Sequence, residues 1–423
     1  MNTPIVSSLK SSYFVLGWIL FIVGIASGLI GMVLVLMLHY LQHLAFGYSP
    51  EQIISSESFL EGVTAAARSR RFLILVSCGF LAGCGWWLLE KLGSPLVSIA
   101  RAIKEDKMMP LLTTIVHGIL QIATIALGSP LGREVAPREL SALFSQKIAS
   151  RLHLTVGETR LMLACGAGAG LAAVYNVPLA GALFVAEVLL QEFSWAVLIP
   201  AFATSALAVF VSWWGLGNAP TYTFHTAEIT PALIIWSAIV GPLLGGLAFG
   251  FIRFANAQRL RAAQGRAIIF FCLVNFGLLG FAAIYFPALL GNGKSIVQIE
   301  FNESVLIHTS AILLFLRTLF VWGSLRAGAW GGLLTPSLAN GALLGVLLGG
   351  LWNVIWPHTD LEAFALVAAT AFLAAAQKMP LVAVIMLFEM TRANFIFLIP
   401  IMFAVVGAMS VSWWLQNKSS SSS

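Results

Sequence analysis

Pro178-Leu179-Ala180-Gly181-Ala182-Leu183-Phe184-Val185-Ala186-Glu187 returns as Pro380-Leu381-Val382-Ala383-Val384-Ile385-Met386-Leu387-Phe388-Glu389. Both copies run Pro-Leu, continue through small and apolar residues, and reach Glu nine positions after the proline. The same offset, 380 − 178 = 202, aligns Leu171-Ala172-Ala173 with Leu373-Ala374-Ala375. Upstream of each copy lies a second matching piece, Gly132-Arg133-Glu134-Val135-Ala136-Pro137 and then Gly331-Gly332-Leu333-Leu334-Thr335-Pro336. A repeat of half the chain length in so apolar a chain indicates a transporter built from two related halves. The copies differ most at one place, where Arg-Glu in the first becomes Gly-Leu in the second.

Hydrophobic residues make up 59% of the 423 and charged residues only 9%, against about 25% charged in a soluble domain. So few charges cannot cover a water-facing surface, and the chain is read as an integral membrane protein with membrane lipids as partners. The net charge of +6 reflects loop residues that set topology and implies no nucleic-acid partner. Cys78, Cys84, Cys165 and Cys272 sit in apolar runs without CxxC pairing or His at metal spacing, as small buried residues do. The first apolar run, Tyr13 to Leu38, is too long for a signal peptide and reads as a retained helix.

Apolar stretches of roughly 20 residues, enough to cross about 30 Å, fall near 13–38, 72–90, 194–214, 232–254, 268–290 and 308–323. From Leu111 to Leu190, and again from Ala329 to Trp414, Gly and Pro divide the apolar runs into shorter pieces. Short, interrupted segments at matching places in two halves point to a site built from broken helices. The loop carrying Gly215, Gly217, Asn218 and Pro220 is the expected seam, giving halves 1–218 and 219–416, a polar serine tail 417–423 and no cytosolic regulatory domain.

Gly128, Pro130 and Gly132 break the preceding helix, and a new helix is expected to start near Glu134 or Val135. A helix start offers unpaired N–H groups and about half a positive charge, which attracts anions. A carboxylate there can fill the anion site itself and leave it when protonated, serving as both gate and proton carrier. The plainer reading has Glu134 pairing with Arg133 or Arg138. The second motif has the same break-then-helix form without the acid; its backbone N–H groups and the Thr335 hydroxyl are candidate anion donors. Alone, Gly331-Gly332 reads equally well as close helix packing.

Gly93-Ser94-Pro95 is a third candidate helix start. Glu187 and Glu389 close equivalent segments and suggest a shared structural task, such as holding loop N–H groups. His117, inside an apolar run, is a candidate proton relay, although helix packing is the commoner use of such a histidine. Trp86-Trp87, Trp213-Trp214 and Trp413-Trp414 read as membrane-interface belts. The chain carries no HExxH, GxSxG or P-loop signature of an enzyme.

With these residues assembled, the chain resembles the CLC anion channels and proton-coupled transporters over nearly its whole length. Gly132-Arg133-Glu134 with Pro137 resembles the family's gating-glutamate motif, and Gly331 to Pro336 its second anion-site motif. Gly166 to Ala173, Asn176 with Pro178-Leu179-Ala180-Gly181, Gly291-Asn292-Gly293 and Glu389-Met390-Thr391 also fit. The resemblance implies an all-α polytopic fold, an inverted repeat of two halves whose broken helices meet at a central anion site. It further implies a homodimer with one anion pathway per subunit, no cofactor, and Glu134 as external gate. Ser94, Gly132, Arg133, Val135, Gly332, Leu333, Leu334 and Thr335 would bind the anion, with Pro137, Glu187 and Glu389 in support.

Three departures bear on the mechanism. Chloride exchangers of the family have Gly-Pro after the gating Glu, where this chain has Val135-Ala136-Pro137. Their internal proton glutamate falls at Val188, and their central-site tyrosine falls in the serine tail. Gly-Arg-Glu-Val-Ala-Pro without an internal glutamate is similar to the fluoride-exporting branch, whereas Ser94 is not. The expectation is a halide/proton antiporter of a bacterial inner membrane, with fluoride favoured over chloride. The nearer alternative is a passive chloride channel without proton coupling; a membrane enzyme is the remote one.

Overall fold

The computed structural model describes residues 12–49, 54, 57–224, 227–302 and 306–420. Among them are seventeen α-helices: α1 (Tyr13–Phe46), α2 (Phe59–Ala65), α3 (Arg68–Leu92), α4 (Ile99–Glu105), α5 (Leu111–Ala126), α6 (Val135–Arg151), α7 (Val156–Tyr175), α8 (Pro178–Phe184), α9 (Trp195–Leu216), α10 (Pro231–Leu260), α11 (Ala267–Tyr285), α12 (Lys294–Glu300), α13 (Ile307–Arg326), α14 (Leu334–Ile355), α15 (Leu361–Gln377), α16 (Pro380–Thr391) and α17 (Leu398–Ser420). Among the described residues, β pairing amounts to one isolated bridge. Eight helical stretches, which include α1, α3, α9, α10, α11, α13, α14 and α17, are long and apolar enough to cross a membrane. The protein is an all-α, multi-pass integral membrane protein.

The two halves share their irregularities. α5 ends on Gly128 at φ +110 and α13 on Gly328 at φ +93, an offset of 328 − 128 = 200. At each, the N–H of the following residue, Ser129 or Ala329, reaches back to the carbonyl of Thr124 or Ser324, both at 3.0 Å. The next helices both carry proline third, Val135-Ala136-Pro137 and Leu334-Thr335-Pro336, where a missing N–H breaks no helical bond. α7 and α15 both stop on a left-handed residue, Asn176 or Lys378, whose N–H caps Ala172 or Ala374. Proline then opens α8 and α16. The internal repeat read from sequence is thus also present in backbone conformation.

Two pieces expected among the interrupted segments are full-length spans, α14 of 22 residues and α17 of 23. In α14 the glycines are a packing stripe and not breaks. A Cβ on Gly341 would lie 2.7 Å from the Ala369 Cα, and one on Gly345 would lie 2.6 Å from the Ala365 Cα. α15 therefore packs against bare backbone, as small residues allow between membrane helices. Pro400 lies in the first turn of α17, where it is tolerated. α17 also runs through Asn417 to Ser420 of the expected tail; residues 421–423 lie outside the described chain. Trp86 is not an interfacial belt residue: it is 3% exposed, on the inward stripe of α3 with Gly79, Ala82 and Gly83. Trp213, Trp214, Trp413 and Trp414 are all exposed.

The chain forms two compact units, residues 1–40, 88–123 and 133–221 in one, and 41–87, 124–132 and 222–423 in the other. Their last crossing, at 221/222, falls three residues after the expected seam at 218/219. Unlike consecutive halves, however, 41–87 and 124–132 join the second unit, since α3 packs its glycines on α11: a Cβ on Gly79 would lie 3.0 Å from the Leu273 Cα.

Candidate functional site

Within the first unit the chain enters α6 through Arg133 and Glu134. Glu134 is the residue before the helix, in αR conformation, and its side chain makes no capping bond to the turn that follows. An acid at this place could cap the amides, and that capping bond is not made. Glu134 is 1% exposed. The Tyr175 hydroxyl, at the end of α7 and 2% exposed, donates to Glu134 Oε2 at 3.3 Å.

Both neighbouring arginines have other recorded tasks. The Arg133 guanidinium lies 5.2 Å from the centre of the Tyr175 ring and donates to the Val174 carbonyl at 3.4 Å. Arg138 donates from Nε to the Glu134 carbonyl at 2.9 Å and lies 5.2 Å from the Phe184 ring. The Thr221 hydroxyl donates to the Tyr175 carbonyl at 3.0 Å, so the aromatic is fixed from both ends. Cation–π contact and a buried phenol seeking a partner account for an Arg–Tyr–Glu group of this kind. Such a group holds a carboxylate by a bond that protonation weakens.

Ser94 lies in the loop between α3 and α4 and is exposed; its N–H donates to Thr113 Oγ1 at 3.1 Å. Val135 is half-buried and Pro137 buried. Gly170 on α7 is opposite Pro137: a Cβ there would lie 2.7 Å from the Ser141 hydroxyl, which keeps α6 and α7 close. Glu187 is half-buried in a wide helical turn, Val185–Leu190, that continues α8.

Within the second unit, Gly132 and Gly332 pair as an antiparallel bridge, each N–H donating to the other's carbonyl at 2.8 Å. The first glycine of one matched motif is thus bonded to the second glycine of the other, 332 − 132 = 200 residues apart. Gly331 is held by Arg259, whose Nη2 donates to its carbonyl at 2.6 Å. Gly332, Leu333, Leu334 and Thr335 are all buried, Thr335 at 1%, and Glu389 is half-buried on α16.

Arg317 on α13 is fully buried and donates to three carbonyls: Pro130 at 3.3 Å, Gly291 at 3.4 Å, and Asn292. The Gly291 N–H in turn donates to the Gly128 carbonyl at 3.1 Å. One guanidinium therefore ties the loop that precedes Gly132-Arg133-Glu134 to the Gly291-Asn292-Gly293 turn. Arg317, Arg259 and Tyr175 were not singled out from sequence. A lone Arg in an apolar span and a Tyr ending a Gly/Ala helix both need buried partners, which is the signal that could have found them.

The voltage gated chloride channel family model matches residues 74–413. The voltage-gated ClC-type chloride channel ClcB of Citrobacter koseri is 30% identical over 353 residues, covering 79% of this chain and 82% of that protein. A ClcB-like chloride channel protein of Ralstonia nicotianae is 30% identical over 372 residues, covering 82% and 84%. In fold the chain is similar to a slow cyanobacterial Cl−/H+ antiporter, with TM-score 0.78, 18% identity and coverage of 94% and 95%. It is also similar to a CLC-type fluoride/proton antiporter, with TM-score 0.75, 18% identity and coverage of 95% and 97%. This chain belongs to the voltage-gated chloride channel (CLC) family of anion transporters and channels.

Proposed function

We propose that the protein moves a halide across a bacterial inner membrane in exchange for protons, with Glu134 as gate and proton carrier. Family membership makes it a transporter or channel and not an enzyme. The observation that carries the finer reading is the buried Glu134 carboxyl at the head of α6, which accepts from the Tyr175 hydroxyl. Ionised, it competes with an anion for the positive end of α6 while accepting from Tyr175; protonated, it loses that attraction and lets the anion pass. The head of α14, from Leu333 to Thr335, is the second proposed source of anion donors, whereas the Gly132 and Gly332 N–H groups are donated to each other's carbonyls; Arg133, Val135 and Ser94 complete the proposed ligands. Pro137, Glu187 and Glu389 support the surrounding backbone.

Chloride is the first choice of anion, because the relatives at 30% identity are named chloride channels. The Gly132-to-Pro137 motif keeps fluoride as the second. Two copies assemble as a homodimer, each with its own pathway. The test uses purified protein in liposomes loaded with chloride or fluoride, with ion-selective and pH electrodes. An anion gradient drives protons uphill in the wild type, and Glu134→Gln abolishes that proton movement. Intact coupling in the variant refutes the role of Glu134. Anion flux without proton movement in the wild type identifies a passive channel.

A further inference from the structure

α5 and α6 each bring one titratable side chain to a shared buried place. His117 of α5 is 1% exposed, and its Nδ1 lies 3.0 Å from Oε2 of Glu139 on α6, whose side chain is 13% exposed. Gln121, one turn further along α5, places Nε2 at 2.9 Å from the same Nδ1. The helices are close here, since a Cβ on Gly118 would lie 3.2 Å from the Leu140 side chain.

Nδ1 has a single position in the ring plane for either a proton or a lone pair. Protonated, it donates to the Glu139 carboxylate; bare, it accepts from the Gln121 amide. It cannot do both. The cluster therefore has alternative hydrogen-bonding arrangements that differ in where one proton sits. A neutral imidazole beside an ionised carboxylate carries net −1; one added proton makes a net-neutral imidazolium–carboxylate pair, and its release restores the first state. Ionisable groups at such depth are costly and serve proton relays in membrane proteins, and imidazole is the side chain suited to titrate near neutrality.

The surrounding charges have their own partners. On α6, Arg138 is bound to the Glu134 carbonyl and lies over Phe184, and Glu134 is bound by Tyr175 of α7. Arg133, in the loop before α6, lies over the Tyr175 ring. On α4 and after it, Arg101, Glu105 and Lys107 form an exposed ion-pair cluster. Glu139 follows Glu134 by five residues, about 7.5 Å along the helix axis.

We propose that His117 and Glu139 form a second proton-binding site, loading and discharging one proton in step with Glu134. The proposal rests on the proton-coupled reading of Glu134, and its test has one arm that does not. In the intact protein in lipid nanodiscs, with isotope-labelled histidine, the His117 signals are assigned by their loss in His117→Gln. Followed from about pH 8 to about pH 5, those signals are expected to report uptake of one proton, and the response is expected to change in Glu139→Gln. A ring that keeps one protonation state across that range overturns the proposal.

In liposomes, His117→Gln is expected to cut anion-driven proton uptake at least tenfold, and a rate within twofold of wild type overturns the coupling to Glu134. If the wild type itself moves no protons, the reading of Glu134 has failed. The ring titration then decides alone: titration supports the proton site, and a silent ring overturns it.

Discussion

Replacing Arg317 with Met keeps a long apolar stem but removes every donor from the carbonyls of Pro130, Gly291 and Asn292. The first two residues are buried and the third is half-buried. An unsatisfied buried acceptor costs about 1–3 kcal/mol. Two such groups give roughly 2–6 kcal/mol, while the Asn292 carbonyl can recruit water at little cost. Removing a buried charge offsets part of this, since an apolar replacement avoids its desolvation. A net loss of about 2–4 kcal/mol remains, a large share of the roughly 5–15 kcal/mol that holds folded proteins together. Arg317→Lys retains the charge but gathers its donors on one nitrogen and loses the planar fork that spans the two loops, so an intermediate loss is expected. The assay is thermal unfolding in detergent, where the Met variant should melt on the order of 5 °C lower, with the Lys variant between. A Met variant melting within about 1 °C of wild type refutes the claim that this guanidinium holds the two loops.

Tyr175→Phe removes a hydroxyl that bonds Glu134 and leaves the ring beneath Arg133. At 3.3 Å the bond belongs at the weak end of the charged range, about 1.5 kcal/mol or roughly tenfold. Anion efflux at neutral pH should rise by that factor, and an unchanged rate removes Tyr175 from the gate. Glu300, on the short α12 between spans, is buried and accepts from the Ser310 hydroxyl at 2.9 and 3.1 Å. Burial raises its carboxyl from 4.5 to about 7, with the Ser310 bond opposing in part. The folded state then holds the proton more tightly than the unfolded one. This contribution is fully present below the unfolded value and is lost as pH rises to about 7, on the order of 3 kcal/mol. The wild type should melt lower at about pH 8 than at about pH 5, and Glu300→Gln should flatten the difference. An equal pH slope in both proteins contradicts this.

What could be read along the chain was whatever is local. Proline at helix starts, glycine at helix ends and the acid after Gly132-Arg133 all act through their own backbone, and α6, α8, α14 and α16 begin within a residue or two of where those signals fall. Glycines inside α14 were misread because a linear scan cannot tell a helix break from a seam. That distinction depends on whether Ala365 and Ala369 of another helix lie opposite. Partners of buried polar groups were also out of reach. Tyr175 and Glu134 are 41 positions apart, and Arg317 and Pro130 are 187 apart, so no spacing announces them. His117 looked like a packing residue until Glu139, 22 positions away, was placed against it. The grouping of 41–87 with the later part of the chain was likewise not legible, because that segment is sorted by what it touches and not by its order.

The Gly132–Gly332 bridge sets an order of events during synthesis. Its first glycine leaves the ribosome 332 − 132 = 200 residues before its second. At about 5–20 residues per second that interval is roughly 10–40 s. For that time the amide and carbonyl of Gly132 lack the partner they hold in the finished protein. A chain cut short before residue 332 would keep its early helices and still leave that pair of groups exposed.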